Sequence, residues 1–233
     1  MPRKNPPPSA SDWRSPEPSL GHRLPTKFRS KASTQGVLVT TGATPRQIFF
    51  DSLGEFGALA SVLARIDIVD VREQQEAVYR DDDGVVRRHF FDFVVTTADG
   101  VRKAIAYKPH ARVEALQFEA VLHDLAGRIS PEVADEIVLL TERDLPRASI
   151  HNAVLLHDCR RDPPGAADAA VLTALAGIIG DVSIGDLRDA TGLGGDAYRA
   201  IVRLIGSRQI TMQGNARITS ETLVCAGAQG DAR

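Results

Sequence analysis

Two charged residues bracket one hairpin of the sequence. Phe91 to Pro109 reads FDFVVTTADGVRKAIAYKP, with Asp92 near its start and Lys108 near its end. A carboxylate at a strand end can hold a hard divalent cation such as Mg²⁺, which keeps several waters and shares its remaining coordination with a substrate phosphate. A nearby lysine can position a water or neutralise the charge that develops on that phosphate. These residue types therefore indicate metal-assisted hydrolysis of a phosphodiester.

The turn of the hairpin decides whether the two charges meet. A three-residue loop at residues 98–100, with its glycine in the left-handed conformation, places Asp92 opposite Ala106. Lys108 then lies one step further along the same face. A two-residue type I′ turn would instead place Asp92 opposite Tyr107, and the charges would not converge. Both loops tolerate these residues, so the choice stays open at this stage.

The surroundings of the two charges favour a functional site over a surface ion pair. The run from Phe90 to Val95 gives Asp92 bulky apolar neighbours, and AIAYK brings Lys108 out of a run typical of a buried strand. An exposed ion pair would contribute little to stability, whereas charges at the edge of a core are more often functional. A metal site needs a further acid, and the helical segment before the hairpin offers Glu55. His110 borders the same site and is a candidate phosphate contact.

The composition is ordinary for a globular protein. Of 233 residues, 43% are hydrophobic and 25% charged, and the formal net charge is −2. No run approaches the roughly 18 apolar residues that a membrane span requires, and the basic N-terminus lacks the apolar segment of a secretory signal. Two distant cysteines outside any CxxC pattern indicate reduced thiols. We therefore expect a cytoplasmic protein. The absence of GxGxxG and Walker A patterns argues against a nucleotide-fuelled enzyme.

Composition and periodicity divide the chain into five segments. We expect a disordered, basic, Pro-rich arm, an α/β domain, a Pro-Pro-Gly linker, a small helical domain with a β-hairpin and a frayed tail. These correspond to residues 1–35, 36–160, 161–167, 168–226 and 227–233. Within the second segment the pattern predicts a helix over residues 46–66, a three-stranded meander turned by DDDG and TADG, a helix, a strand and a helix.

Four stretches together resemble the TnsA-like endonuclease subunits of heteromeric transposases. They are FFDSLGEFGAL, REQQEAVYRDDDG, FFDFVVTTADG and AIAYKP, and the resemblance covers about residues 40–110. It implies a restriction-endonuclease-like core of the PD-(D/E)xK group, built as helix, three-stranded meander, helix and strand. It also implies a winged helix-turn-helix domain, which agrees with the three helices and hairpin expected in residues 168–226.

The resemblance implies roles for individual residues. Glu55 would be the acid on the first core helix, Asp92 the central metal-binding aspartate and Lys108 the catalytic lysine. Gln74 would line the cleft. Mg²⁺ or Mn²⁺ would be the cofactor, and DNA would be cut on the 5′ side of each transposon end. A DDE-type transposase subunit would cut the other strand, and an ATPase partner would regulate both.

Two positions depart from the family pattern. Phe91 stands where a proline is usual, and Ala106 stands where the wider nuclease group has Glu or Asp. Because Ala106 offers no side-chain ligand, the backbone carbonyl of Tyr107 would have to serve the metal, and binding would be weaker. Two alternatives therefore stay open. One is a catalytically degenerate nuclease fold that acts as a DNA- or protein-binding adaptor, and the other is a stand-alone restriction or repair nuclease.

The C-terminal segment raises a second DNA-binding hypothesis. If its third helix is a recognition helix, Tyr198, Arg199 and Arg203 would face DNA. Arg208 and Arg217 would then contact phosphates. The last 68 residues hold six Arg, no Lys and seven acids, so no broad basic face is expected. Docking of a partner protein is the alternative.

Overall fold

The computed structural model describes residues 15–24 and 34–227, and the α/β class expected from the sequence is confirmed. The strands of the described residues are Gly36–Val39 (β1), Gln47–Phe50 (β2), Ile68–Arg80 (β3), Val86–Thr97 (β4), Arg102–Tyr107 (β5), Glu136–Leu140 (β6), Val182–Ser183 (β7), Ile210–Met212 (β8) and Leu223–Ala226 (β9). The helices are Leu53–Ala64 (α1), His110–Leu116 (α2), Phe118–Ala126 (α3), Arg147–Cys159 (α4), Ala166–Ala176 (α5), Ile184–Thr191 (α6) and Gly195–Gly206 (α7).

A four-stranded sheet in the order β3-β4-β5-β6 forms the centre of the first domain. The meander β3–β4–β5 is antiparallel, and β6 returns parallel to β5 after the crossover through α2 and α3. Such a crossover is what a parallel neighbour requires. Apolar residues of α1 pack on one face of the sheet, and those of α2 and α3 pack on the other. Three residues of the candidate site discussed below, Gln74, Asp92 and Tyr107, belong to β3, β4 and β5 of this sheet.

The first helix begins later than the sequence pattern predicted. Residues 47–50 form β2, which pairs with β1 as a separate two-stranded sheet. Ser52 then caps α1, because its side chain accepts a hydrogen bond from the backbone N–H of Glu55. Ser52 and Glu55 have the spacing of a capping box, which starts a helix rather than continuing one. The expected single helix over residues 46–66 is therefore wrong in its first third.

At one position in β3 and in β4, the alternation of side chains between the two faces of the sheet is interrupted. Val71 and Phe93 belong to the cluster on the α1 side, whereas Ala77 and Phe91 belong to the cluster on the α2–α3 side. Regular alternation would keep residues an even number apart on the same face. Gln74 interrupts the alternation, since its φ is 47°. The two core clusters therefore meet where Gln74 and Asp92 lie.

Part of the predicted disordered arm is ordered. In residues 15–24, Glu17 forms an isolated parallel bridge with Arg46, and the backbone N–H of His22 donates to the carbonyl of Gln74 over 3.1 Å. The Ser19 hydroxyl donates to the buried carboxylate of Glu73. The arm prediction does not hold for this short segment because it finds backbone and side-chain partners on the domain. Residues 1–14 and 25–33 of the arm lie outside the described residues.

The C-terminal unit is built around α7. Helices α5 and α6 and the small sheet β7-β9-β8 surround it, and Leu156 and Cys159 of α4 join their apolar core. The linker is shorter than predicted, since α5 begins at Ala166. Strand β7 was not predicted from the sequence. In the described part of the chain, no helix has the length and apolar character needed to cross a membrane.

Candidate active site

The hairpin adopts the three-residue loop. The backbone N–H of Thr97 donates to the carbonyl of Val101 over 2.9 Å, and Gly100 has a φ of 88°. Phe93 pairs with Ile105, and continuing this register by one residue places Asp92 opposite Ala106. The structure thus decides between the two loops that the sequence left open, and it has the three-residue loop.

Asp92 is held by its own sheet. One carboxylate oxygen accepts a hydrogen bond from the Tyr107 N–H over 2.7 Å, and the other lies 3.5 Å from the side-chain amide of Gln74. Burial, and next the negative charge of Glu55, raise the pKa of Asp92 to about 7, although the Tyr107 hydrogen bond and the charge of Lys108 oppose the shift. On balance, the surroundings of Asp92 favour its neutral form.

Glu55 approaches Asp92 from the first turn of α1. Its carboxylate accepts from the backbone N–H of Asp51 over 2.8 Å and from the hydroxyl of Ser52 over 3.0 Å. Burial raises the pKa of Glu55, and the charge of Asp51 adds to this, while both hydrogen bonds lower it. Glu55 thus has a structural role at the start of the helix, and its charge also acts on Asp92.

Lys108 lies on the side of the sheet opposite α1. Its Nζ is 4.0 Å from the centre of the Phe118 ring, and Ala106 belongs to the same cluster as that ring. Lys108 and Ala106 therefore lie on the same face of the sheet, as predicted. Lys108 makes no ion pair with the acids of the described residues. Its charge opposes the rise in the pKa of Asp92, and it adds to the effect of burial in lowering the pKa of His89. Lys108 and Glu55 thus flank Asp92 from opposite faces of the sheet.

The side chain of Tyr107 is part of the site, although the sequence indicated only its backbone. A Cβ at Gly54 would overlap the Tyr107 ring, so the ring lies directly on the backbone at the start of α1. Burial, and then the charges of Glu142 and Glu55, raise the pKa of the phenol. The backbone N–H of Tyr107 faces the Asp92 carboxylate, and the Tyr107 carbonyl as a metal ligand stays a prediction.

Arg23, in the N-terminal segment, was missed by the sequence analysis. Its guanidinium donates to the side-chain carbonyl of Gln74 over 2.6 Å and lies 3.7 Å from the Asp51 carboxylate. Its positive charge opposes the rise in the pKa of both Glu55 and Asp92. No signal in the sequence connects Arg23 with Gln74, which is 51 residues away. The side-chain amide of Gln74 lies 3.5 Å from Asp92, and its place in a substrate cleft stays a prediction.

His110 is directed away from the acidic pair by its hydrogen bonds. Its Nε2 lies 2.9 Å from the Glu114 carboxylate, and its backbone N–H donates to Glu142 over 2.8 Å. Both contacts lie at the start of α2. The structure therefore gives no contact between His110 and Asp92 or Glu55, and its role as a phosphate contact stays a prediction.

Comparison with known proteins adds no relative. No family model matches the chain, and no curated protein matches it. The site must therefore be interpreted from its own geometry.

The arginines of the predicted recognition helix are held in ion pairs within the domain. Arg199 of α7 donates to the carboxylates of Asp158 and Asp162, and Arg203 pairs with Asp168 over 2.7 Å with side chains only 10% and 11% exposed. Acids of α4, the linker and α5 thus bind Arg199 and Arg203 within the domain, and a contact of these arginines with DNA stays a prediction.

Tyr198, Arg208 and Arg217 are the other residues of this unit that were predicted to contact DNA. Tyr198 is partly buried against the apolar core around α7. Arg217 lies 3.0 Å from a ring nitrogen of His151, and Arg208 is exposed. Phosphate contacts by Arg208 and Arg217 therefore stay predictions.

The donor set fits a weakly held divalent cation rather than a full protein cage. Glu55 and Asp92 repel each other where both are partly buried, and a cation between them would relieve that repulsion. In residues 15–24 and 34–227, however, no three His, Cys, Asp or Glu side chains are grouped so that they could hold a metal ion. Such a site matches Mg²⁺, which keeps several waters and needs few protein carboxylates.

Proposed function

We propose that this protein is a divalent-metal-dependent DNA endonuclease subunit of the TnsA-like kind. The observation that carries the proposal is the electrostatic conflict between Glu55 and Asp92, with Lys108, which pairs with no acid in the described ranges, on the other side of Asp92. Strongly perturbed pKa values at the edge of a core are typical of functional sites. The order helix, meander, crossover helices and parallel strand supports a restriction-endonuclease-like core. The unit around α7 supports a winged-helix domain.

The side chains have separate tasks in this proposal. Glu55 and Asp92 would hold the ion, with the Tyr107 carbonyl as a further ligand. The ion would supply a bound water of lowered pKa and polarise the phosphodiester. The Tyr107 N–H and the Gln74 amide orient the Asp92 carboxylate, and Ser52 orients that of Glu55. The Lys108 ammonium would neutralise charge on a phosphate oxygen, because no described acid already neutralises it.

The first test is calorimetric titration with Mn²⁺ and Mg²⁺. We expect the wild-type protein to bind the metal, Asp92→Ala to lose binding, and Asp99→Ala in the hairpin loop to keep it. Asp99 is a matched control because it lies on the same hairpin and hydrogen-bonds only within the loop. If Asp99→Ala lost binding as well, the effect would reflect hairpin folding and not a metal ligand.

Cleavage is then measured on supercoiled plasmid and on transposon-end DNA, with and without partner proteins of the DDE-transposase and ATPase classes. We expect Lys108→Ala to bind metal normally but to cut no DNA. Cleavage of DNA without any partner would instead favour a stand-alone restriction or repair nuclease.

A catalytically inactive adaptor is the second candidate, and two observations favour it. Ala106 is only 3% exposed and packs in the apolar cluster beside α2 and α3, so it offers the site nothing. The described residues also lack a three-ligand metal group. An adaptor would bind DNA or a partner with the same affinity in the presence of Mn²⁺ and of a chelator. Wild-type protein that binds no metal, even with DNA present, would support this reading.

A further inference from the structure

A second polar cleft opens at the far end of α1. Its cavity volume is about 320 Å³, and it is lined by the loop between β1 and β2, the first residues of β3 and the last turn of α4. Glu55 lies in the first turn of α1, whereas Leu63 at the last turn lines this cleft. A helix of this length extends for about 18 Å. The cleft is therefore separate from the candidate active site.

Positive charge exceeds negative charge around this cleft. Arg46, Arg65 and Arg160 line it, and Asp70 is the acid among its lining residues. The Asp70 carboxylate is already shared, since Arg46 lies 3.1 Å away and Arg72 2.8 Å away. Arg65 is neutralised by Asp67 at the exposed rim. Three guanidinium groups and one carboxylate thus line the cleft.

Arg160 and Arg46 are incompletely compensated. The Arg160 guanidinium donates to the backbone carbonyls of Leu63 and Ala64 but pairs with no acid of the described residues. The Nε of Arg46 is buried and has no hydrogen-bond partner within the part of the chain that the structure describes. A buried donor without a partner and a charge without a counter-charge are both unfavourable. An anion in the cleft would supply the counter-charge that Arg160 lacks.

Hydroxyl groups complete the lining. Thr40, Thr41 and Thr44 come from the β1–β2 loop, and the Thr40 hydroxyl accepts a hydrogen bond from the Arg46 N–H over 2.9 Å. Guanidinium groups and hydroxyl donors around a small cavity are the chemistry that binds phosphate oxygens. We propose that this cleft is a binding site for a phosphate group, carried either by a free nucleotide or by the backbone of DNA. The proposal does not depend on nuclease activity.

The test is titration of the ¹⁵N-labelled full chain, followed by the amide signals of residues 40–46. The ligands are inorganic phosphate, adenosine monophosphate and a short DNA duplex. Thr44→Glu places a carboxylate in the cleft, and Arg65→Gln removes a cation. Both positions are exposed, so the fold should persist. Arg143→Gln, an exposed arginine outside the cleft, is the control of equal charge change.

We expect saturable binding by the wild-type chain, with affinity lower by about tenfold or more in Thr44→Glu and by a factor of about three in Arg65→Gln. Arg143→Gln should bind like wild type. Tighter binding of the duplex than of the mononucleotide would assign the phosphate to DNA, and the reverse would assign it to a free nucleotide. Signals that shift without saturation, or equally in all three variants, would overturn the proposal. Metal binding at Asp92 is measured separately, so the two proposals fail independently.

Discussion

Gln74 lies opposite Asp92 in the β3–β4 ladder and adopts a left-handed backbone conformation with a φ of 47°. The neighbouring pairs, Glu73 with Phe93 and Gln75 with Phe91, keep the antiparallel register on both sides. The conformation directs the Gln74 carbonyl to His22 and its side-chain amide to Asp92. Left-handed residues with a Cβ are strained, and such strain is concentrated at functional sites. Gln74 thus links the candidate active site to the N-terminal segment.

Substitution of Gln74 should reveal this strain. Glycine adopts a left-handed φ without steric cost, whereas alanine does not. We expect Gln74→Gly to be more stable than Gln74→Ala by about 1 kcal/mol in urea unfolding. Both variants lose the same side-chain hydrogen bonds, so each is the control for the other. An alanine variant at least as stable as the glycine variant would show that position 74 is not left-handed in solution.

The stability of the protein should depend on pH through Asp92. The folded-state pKa is raised above the ordinary value of 3.8, so the folded protein retains a proton that the unfolded chain has lost. Stability from this proton is present at low pH and is lost as the pH rises through about 7. Asp92→Asn should therefore gain about 2 kcal/mol relative to wild type between about pH 5 and pH 8.

The control for this measurement is Asp99→Asn. A hydrogen bond from Thr97 lowers the pKa of Asp99, so this group is ionised throughout the same pH range in both folded and unfolded chains. The difference between wild type and Asp99→Asn should not change with pH. The measurement is denaturant unfolding at several pH values. A stability difference between Asp92→Asn and wild type that does not change with pH would contradict the raised pKa of Asp92.

Metal binding should release a proton at slightly acid pH. Near about pH 6 the pair of Glu55 and Asp92 holds a proton, and a bound cation must displace it. The calorimetric enthalpy of Mn²⁺ binding should then depend on the ionisation enthalpy of the buffer with a slope of about one proton, falling toward zero near about pH 9. A slope that is zero at both pH values would show that the metal does not bind to this pair.

Gly54 should not tolerate a side chain. A Cβ there would overlap the Tyr107 ring, whereas a Cβ at Gly127 would meet only the Asp124 carbonyl at 3.6 Å. We expect Gly54→Ala to lower the free energy of unfolding by about 2 kcal/mol, with little change for Gly127→Ala. In a Tyr107→Ala background the effect of Gly54→Ala should be smaller, because the overlapping ring is gone. Full additivity of the two substitutions would contradict the contact.

Arg203 should matter for folding rather than for DNA. Removing it leaves the largely buried Asp168 carboxylate without its partner. We expect Arg203→Ala to cost about 3 kcal/mol of unfolding free energy, against less than about 0.5 kcal/mol for the exposed Arg143→Ala. Thermal or urea unfolding measures both. A stable Arg203→Ala variant with weakened DNA binding would restore the recognition-helix hypothesis.

Local rules predicted much of the hairpin. The register follows from the loop, because Gly100 supplies the left-handed residue that a three-residue turn needs. Alternation along β5 then put Ala106 and Lys108 on one face. The start of α1 was also visible in the sequence, as the pair Ser52 and Glu55, but the continuous apolar stripe concealed the end of β2.

The missed features depend on contacts between distant parts of the chain. Arg23 contacts Gln74 across 51 residues, and nothing in its neighbourhood distinguishes it from other basic residues of the arm. Arg199 and Arg203 were expected to face DNA because helical spacing does not reveal which side of α7 is covered. The acids that bind them lie at the end of α4, in the linker and at the start of α5.

The ordering of residues 15–24 on the domain has a practical consequence. The positive charge that acts on Glu55 comes from Arg23, ahead of the first strand, and Arg23 also acts on Asp92, after Lys108. A shortened chain that starts at β1 would keep every strand and helix described above. The carboxylates of Glu55 and Asp92 would then lack the positive charge of Arg23. Its affinity for divalent cations at this pair should rise. Trimming the amino terminus would thus change the chemistry of the protein while leaving its architecture intact.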